Sequence, residues 1–407
     1  MGAILKKYLK GDAVLWVVFV GLCLISAVEM FSASSTLAFK AANHTAPMLK
    51  HVAFLVFGAF IAFIVHLIPS KFIRFGSYLL MLLSIVTLVV VQFKGETTND
   101  AARWLSIGGF QFQPSELGKL SLIVVASDLI SRIKNSSVIE DKIFIWLMIL
   151  SAIVCGLILK ENFSTAALLF GVIWIMMFIA NISWKKLSVV IVVLLSTAIV
   201  GYLALSIFPT EKPPKVFERA YTWKNRIDRF VLEKDDNTNK YVFTDENLQV
   251  QNGRIAIARG GFIGLMPGNS IQRDFLSQAY SDFIYAIIIE ELGMVGGIIV
   301  IMLYMVLLFR AGSIAKKSKT VFPAILVMGL TLMIVLQAFI NMAVSTSLIP
   351  VTGQPLPMIS RGGTSILTTS IYFGILLGIT RQINDDKQKE ADELEVVILE
   401  DDEEEFT

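Results

Sequence analysis

Ten apolar stretches alternate with polar segments along the chain, and each is about as long as a helix that crosses a membrane. Such a helix needs about 20 mostly apolar residues. The pattern predicts an all-α polytopic integral membrane protein with ten transmembrane helices and a large loop, 209–281, between helices 7 and 8. The stretches run approximately over Val14–Ser34, Lys50–Ile68, Ile73–Phe93, Leu117–Ile133, Ile143–Leu159, Ser164–Ala180, Leu187–Phe208, Asp282–Phe309, Val321–Leu348 and Thr364–Ile383.

Basic residues of the short loops fall on one side of this ten-span arrangement, and such loops face the cytoplasm. Both termini are therefore predicted to be cytoplasmic, and the loop 209–281 to be extracytoplasmic. We divide the chain into a transmembrane domain, 1–384, and an acidic tail, 385–407, that is predicted to be disordered. The basic residues are Lys6, Lys7, Lys10, Lys71, Arg74, Arg132, Lys134, Lys142, Lys185, Lys186, Arg310, Lys316, Lys317 and Lys319.

The composition supports a membrane protein and excludes several classes. Of 407 residues, 55% are hydrophobic and 17% charged, against roughly 25% charged in soluble domains. A net charge of +2 gives no reason to expect a nucleic-acid partner. Cys23 and Cys155 lie in apolar runs, so neither a disulfide framework nor a thiolate metal site is indicated. The chain has no P-loop, and any substrate must therefore arrive already activated.

The first unusual polar stretch opens the fourth apolar segment, on the predicted outer side. Pro114 and Ser115 are typical of a helix start, and Glu116 would lie in the first turn. Lys119 follows Glu116 by three residues, so the two side chains can pair. One interpretation is a local ion pair at a helix end. The other is a polar site, because ionisable residues at this depth often mark one.

Two further stretches lie in the large outward loop. Arg219, Trp223 and Arg226 recur at three- and four-residue steps, which predicts a helix with a basic and aromatic face. Such a helix either rests among anionic headgroups or clamps a lipid-linked phosphate with its guanidinium groups. Farther along, two glycines follow Arg259. They permit tight turns and also let backbone amides approach an anion.

Three carboxylates mark the start of the eighth apolar stretch. Ser281 is a candidate N-cap, so Asp282 could merely complement the helix dipole. In a continuous helix Glu290 would lie about 12 Å deeper than Asp282 and on a different face. We therefore expect Glu290, next to Glu291, to pair with another helix rather than to act beside Asp282.

Small and amide residues predict close helix packing in the same region. Gly293 and Gly297 form a GxxxG pattern, which predicts close approach by a neighbouring helix. Gln337 and Asn341 lie four residues apart in the ninth stretch and are predicted to form interhelical hydrogen bonds.

Three stretches together carry a resemblance to a known family: "ARWLSIGGFQFQPSELGK" (102–119), "SDFIYAIIIEELGMVGG" (281–297) and "IPVTGQPLPMISRGGTS" (349–365). Their order and their loops resemble those of the SEDS family (shape, elongation, division and sporulation), which are bacterial membrane peptidoglycan glycosyltransferases. The chain is most similar to the division branch, with the elongation branch as the close relative.

The resemblance implies roles for individual residues. It makes Asp282 the catalytic residue and Glu290 and Glu291 a structural pair lining the cavity. From their packing pattern, Asn341, Gly293 and Gly297 are predicted to be structural residues of the same region. The residues implied or predicted to bind substrate are Arg103, Glu116, Lys119, Arg219, Arg226, Arg259 and Ser360. The chain departs from the family pattern where Tyr280 and Ser281 replace His-Thr, where Thr352 replaces a lysine, where Arg361 replaces a tyrosine and where Asn162 replaces an acid.

The activity implied is polymerisation of lipid II during cell division, with Asp282 as general base and undecaprenyl pyrophosphate as leaving group. Cations of the loop, Lys119 or a divalent metal (Mg or Mn) would balance the pyrophosphate charge, and the metal question stays open. The implied partners are a class B penicillin-binding protein, other divisome proteins and membrane lipid, at the septum of the inner membrane. Two alternatives remain at this point: a flippase for the lipid-linked precursor, and a non-enzymatic scaffold.

Overall fold

The computed structural model describes residues 10–33, 46–98, 101–107, 110–133, 137–207, 218–235, 248–276 and 279–405. Within these ranges the chain is almost entirely helical, with one small antiparallel sheet of order β1-β2-β3. The helices are α1 (Ala13–Ala33), α2 (Ala46–Leu67), α3 (Ser70–Lys94), α4 (Pro114–Ser131), α5 (Ser137–Leu159), α6 (Phe163–Ile179), α7 (Trp184–Ile207), α8 (Glu218–Asp235), α9 (Leu248–Gly260), α10 (Ile284–Lys317), α11 (Val321–Ser345) and α12 (Gly363–Glu405). The strands are β1 (Glu96–Thr98), β2 (Ala101–Ile107) and β3 (Phe110–Phe112).

Each of the ten predicted apolar stretches coincides with a helix, and the all-α membrane class is confirmed. Among the described residues, eight helices are long and apolar enough to cross a membrane. The two others are α6, which has 17 residues, and α4, whose 18 residues include Glu116, Lys119 and Asp128. Those three charged residues lower the hydropathy of α4. The count of ten spans stays a prediction.

The centre of the bundle is formed by α4, α11 and the first part of α12. Almost every side chain of α4 is buried, and α11 packs against α4, α6 and α10. At the other extreme, α7 is exposed along nearly its whole length. Large apolar side chains such as Phe75 and Phe93 on α3 point outward, as expected of a surface that lipid covers.

The bundle has two distinct ends. One end, here the Asp282 end, gathers the start of α10, the last turn of α11 and the start of α4: Ser345 on α11 hydrogen-bonds the backbone of Asp282. The other, the Arg310 end, gathers the start of α1 and the C-terminal part of α10, where Arg310 pairs with Asp12. The charged residues of α4 are divided between them, because Glu116 opens the helix and Asp128 closes it.

Helix α10 corrects two predictions. It begins at Ile284 with Phe283 as N-cap and without a side-chain cap, so Ser281 is not the N-cap and Asp282 precedes the helix. At Gly293 the backbone leaves the helical region (φ 70°, ψ −174°). The hydroxyl of Tyr285 donates to the carbonyl of Gly297 over 3.2 Å. Twelve residues of straight helix would separate these positions by about 18 Å, so the two halves of α10 fold towards each other.

The two glycines of the GxxxG pattern are closely packed, but the element that approaches them is not a neighbouring helix as predicted. A methyl group at Gly293 would overlap backbone of the 262–264 loop, including the amide nitrogen of Gly264 at 2.6 Å. A methyl at Gly297 would meet Ile289 and Tyr285 of the same helix. These glycines therefore admit a loop and the kinked helix itself, whereas the prediction was a neighbouring helix.

The C-terminal tail also differs from the prediction of disorder for 385–407. Helix α12 continues to Glu405. The tail contains good helix formers such as Lys, Gln, Glu and Ala. Its first turns are held to the Arg310 end by ion pairs from Lys10 to Asp385 and from Lys319 to Glu390.

Candidate active site

Asp282 lies in a short turn whose backbone is held from the side of α11. The amide of Asn341 donates to the carbonyl oxygen of Asp282 over 3.1 Å, and the hydroxyl of Ser345 donates to the same oxygen over 3.1 Å. The hydroxyl of Ser281 lies 3.0 Å from the Asp282 carboxylate, to which it donates. As a residue, Asp282 is half-buried. Its position is thus fixed through the main chain.

The loop before α12 holds the same turn from the other side. The hydroxyl of Ser360 donates to the carbonyl of Ser281 over 2.7 Å, and the backbone amide of Arg361 donates to the carbonyl of Tyr280 over 2.9 Å. The guanidinium carbon of Arg361 lies 5.3 Å from the centre of the Tyr280 ring, a distance at which a cation is attracted to the aromatic face. Two residues that depart from the family pattern are therefore in contact.

Amide side chains of α11 connect this loop to the Glu116–Lys119 pair. The Lys119 ammonium lies 2.7 Å from the Glu116 carboxylate, which confirms the predicted pair. It also donates to the Gln337 side chain over 3.2 Å, and Gln337 donates in turn to the carbonyl of Pro355 over 3.0 Å. Gln337 and Asn341 are one helical turn apart, so the buried ion pair and Asp282 are supported by the same face of α11.

Asn341 is the junction of this network. Besides Asp282, its amide donates to the carbonyl of Gln354 over 2.7 Å, and the Gln354 side chain donates to the Thr165 hydroxyl over 2.6 Å. In the same loop Gly353 has a positive φ of 69°, and a methyl there would lie 3.6 Å from the Asp282 carboxylate. The glycine leaves space beside the acid, and it adopts a conformation that other residues rarely take.

A cavity of about 530 Å³ opens next to this turn. Its volume lies within the usual range of ligand pockets, roughly 300–1,000 Å³. Asp282 follows the lining residue Tyr280 by two positions, so their Cα atoms are at most about 7 Å apart. The lining includes two cations and, among the described residues, no carboxylate. The residues that line it are Pro47, Lys50, His51, Phe54, Trp104, Ser106, Gln111, Tyr280, Arg361, Gly362, Gly363 and Thr364.

Glu290 and Glu291 lie at the same end of the bundle but serve a different structure. Both are 0% exposed. Glu291 accepts from the backbone amides of Gly268 and Ser270, each over 3.1 Å, and from the hydroxyl of Ser32 in the last turn of α1. Glu290 accepts from the backbone amides of Ile271 and Gln272. The pair therefore anchors the loop 268–272.

With this geometry in place, the chain can be compared with known proteins. The family model of FtsW, RodA and SpoVE cell cycle proteins matches residues 12–385. The chain belongs to this family. Three relatives named probable peptidoglycan glycosyltransferase FtsW are similar over most of their length: from Trichlorobacter lovleyi (31% identical, 91% of this chain and 93% of the relative), Haemophilus influenzae (31%, 91% and 90%) and Saccharophagus degradans (30%, 90% and 92%).

Solved structures share the fold. A chain of a peptidoglycan synthase complex that coordinates polymerization and crosslinking has a TM-score of 0.72 at 21% identity, covering 92% of this chain and 98% of that one. The rod shape determining protein RodA of Thermus thermophilus has a TM-score of 0.64 at 20% identity, with the same coverage. At these identities the likeness concerns the fold alone.

The structure distributes the other predicted binding residues of this family member over several places. Arg226 lies in α8, and the predicted helix is confirmed there. Its guanidinium donates to the carbonyl of Val351 over 3.0 Å, which connects α8 to the loop near Asp282. Arg259 lies 3.7 Å from the Glu290 carboxylate, at the other loop. Ser360 holds backbone, since it also accepts from the amide of Leu356. Arg103 lies in β2 and Arg219 in α8, and both side chains fall outside the described part of the structure.

Several residues around the cavity were not singled out from the sequence. Lys50, His51 and Trp104 come from α2 and β2, which are separated from Asp282 by more than a hundred residues. Lys50 and His51 lie at the start of an apolar helix, and two polar residues in that position are the signal that could have identified them. Among the described residues, no group of three or more His, Cys, Asp or Glu side chains is arranged to hold a metal ion.

Proposed function

We propose that this chain is a peptidoglycan glycosyltransferase that polymerises lipid II, with the carboxylate of Asp282 as general base. The observation that carries the proposal is the half-buried Asp282, fixed through its backbone by Asn341 and Ser345, beside a cavity lined by cations. Membership in a family whose relatives are named for this activity supports the reaction class.

In the proposed reaction the acceptor sugar hydroxyl attacks the anomeric carbon of the donor. Its oxygen forms the new glycosidic bond, the bond to the pyrophosphate breaks with its electron pair, and the hydroxyl proton passes to Asp282. Attack from the face opposite the leaving group inverts the anomeric centre. Proton transfer to a positioned base typically contributes 10²–10⁴-fold in rate. Because undecaprenyl pyrophosphate is itself the leaving group, no nucleotide is needed.

The cations of the cavity have a role in this reaction. Charge develops on the pyrophosphate as the bond breaks, and fixed cations in a partly desolvated site stabilise it. Lys50 and Arg361 both line the cavity, and a guanidinium can bind phosphate oxygens through two parallel hydrogen bonds. Lys119 is a weaker candidate because Glu116 already neutralises it. We therefore assign the leaving group to the side of Lys50 and Arg361.

The finer features of the assembly are also proposals. We place the Asp282 end on the extracytoplasmic side and both termini in the cytoplasm, because the short-loop lysines and arginines lie at the opposite end. The partner we propose is a class B penicillin-binding protein, whose crosslinking would follow polymerisation within one complex, together with other division proteins at the septum.

The test uses the purified full chain in liposomes with labelled lipid II, alone and with the partner transpeptidase. The chain should form glycan polymer, and Asp282→Asn should reduce it at least about 100-fold at unchanged yield and partner binding. Asp274→Asn is the matched control, since Asp274 lies in the same outward region with 54% of its side chain exposed, and it should polymerise normally. Translocation of lipid II without polymer would support a flippase, and partner binding alone a scaffold. Full activity of Asp282→Asn would refute the catalytic assignment.

A further inference from the structure

A second cavity lies at the Arg310 end of the bundle, away from Asp282. It is a groove of about 560 Å³ between α3, α4 and α5. Along α4 the step from Glu116 to Arg132, which lines the groove, is 16 residues, or about 24 Å. The groove is therefore separate from the active-site cavity. Its apolar walls are Met81, Val125, Leu129, Ile139, Ile143 and Leu150.

The length of the groove corresponds to one leaflet of a membrane. On α5 the lining runs from Ile139 to Leu150, eleven residues or about 16 Å of helix. Half of a hydrocarbon layer of about 30 Å is about 15 Å. An acyl chain that enters from the headgroup level would thus be covered along its whole length.

Aromatic and basic residues accompany the apolar walls. Tyr78 and Trp146 line the groove. Tyr78 lies at the basic rim, where such rings are enriched near lipid headgroups, whereas Trp146 lies about 10 Å beyond Ile139 along α5. Arg132, 53% exposed, lies with its guanidinium 5.8 Å from the Tyr78 ring centre and donates to the Tyr78 hydroxyl over 3.0 Å. Lys142 completes the basic rim.

The rim carries surplus positive charge. The buried carboxylate of Asp128 is shared by Arg74 and Arg132, so this cluster keeps one net positive charge. The acids next to Lys142 in sequence, Glu140 and Asp141, both pair with Lys186. Within the described part of the chain, Lys142 forms no ion pair. By the same count, Glu140 and Asp141 with Lys186 keep one net negative charge. The mouth of the apolar groove as a whole therefore carries one net positive charge, which would attract a negative headgroup.

We propose that this groove is a binding site for an anionic phospholipid in the leaflet opposite the active site. The phosphate lies between Arg132 and Lys142. One acyl chain follows the groove along α5, from the level of Tyr78 on α3 to Leu150 on α5. Guanidinium and ammonium groups recognise the phosphate, and the apolar walls exclude water from the chain. The site is independent of the proposed glycosyltransferase reaction.

The experiment uses a phosphatidylglycerol probe with a photoreactive acyl chain and the purified full chain in phosphatidylcholine nanodiscs. Peptide mapping should place the crosslinks on the stretches around Met81 and Trp146. Unlabelled phosphatidylglycerol should compete, and phosphatidylcholine should not. Lys142→Gln should lower the yield about five-fold, as expected for one cation near a membrane surface, and Leu129→Trp should abolish it by filling the groove.

Two control variants make the result specific. Lys185→Gln removes an exposed cation at the same end, and Leu83→Trp adds the same ring on an exposed part of α3 outside the groove. Both should leave the crosslinks unchanged. Crosslinks spread evenly over the lipid-facing surface, equal competition by phosphatidylcholine, or an unchanged yield in Lys142→Gln would each overturn the proposal.

Discussion

Asp282 and the pair Glu290–Glu291 are acids of one short stretch, and they differ in burial and in which of their atoms form hydrogen bonds. Glu290 and Glu291 are fully buried, and backbone amides of the 268–272 loop donate to their carboxylates. At Asp282 the neighbouring helix binds the backbone carbonyl instead, and the residue is half-buried. A buried acid must be matched by donors, so the glutamates hold a loop in place. Asp282 is instead held in place through its backbone by side chains of the neighbouring helix.

The largest loss of stability is expected at Gly293, where α10 leaves the helical conformation and packs against the 262–264 loop. Gly293→Ala places a methyl group against the backbone of the 262–264 loop in a conformation that is essentially restricted to glycine. We expect a destabilisation above about 4 kcal/mol, seen as loss of folded protein in detergent by size exclusion and thermal unfolding.

Gly312→Ala is the matched control, because Gly312 belongs to the same helix and has open space around it. This variant should be as stable as the wild type, or more stable by up to about 1 kcal/mol. If both variants behaved alike, the kink at Gly293 would not be required.

Substitutions at Glu291 and at Asp282 should differ in their effect on the free energy of unfolding. Glu291→Ala leaves the amides of Gly268 and Ser270 without their acceptor. We expect a loss in the free energy of unfolding of about 1–3 kcal/mol for each unpaired amide. Asp282→Asn should change it by less than about 1 kcal/mol. Thermal unfolding of both variants in one detergent makes the comparison, and equal destabilisation would mean that the two acids have the same role.

Substitution of Asn341 should cost less stability and should lower the rate of polymerisation. Asn341→Ala removes the hydrogen bonds to Asp282 and Gln354, which costs about 1–3 kcal/mol of stability. Because Asp282 loses its alignment, we expect at least about a 10-fold lower rate per folded molecule, with little change in KM. Asn269→Ala is the control on the glutamate-anchored loop, where Asn269 bonds the carbonyl of Leu265. A rate loss in that control equal to the loss in Asn341→Ala would contradict the distinction.

Hydropathy was sufficient to predict the ten apolar helices, because crossing a bilayer requires a length and polarity that sequence shows directly. The ion pair of Glu116 and Lys119 was predictable for a similar reason, since both residues lie on one helical face. The kink at Gly293 was not, because a GxxxG pattern has the same spacing whether a helix or a loop approaches it.

The contacts around Asp282 depend on tertiary structure. Tyr280 and Arg361 are far apart in sequence, and nothing local indicates that one stacks on the other. Asn341 was predicted to bond another helix, but its partners are carbonyls of two loops, which periodicity does not describe. The resemblance supplied Asp282 itself, whereas the hydrogen bonds that hold its backbone came from the geometry.

The most direct test of the central claim is rescue of Asp282→Ala by formate in the lipid II polymerisation assay. The smaller side chain leaves room for a soluble carboxylate to take the proton, so added formate should restore part of the lost rate, and it should not do so in Glu291→Ala. Polymerisation by Asp282→Ala at the wild-type rate without formate would contradict the account.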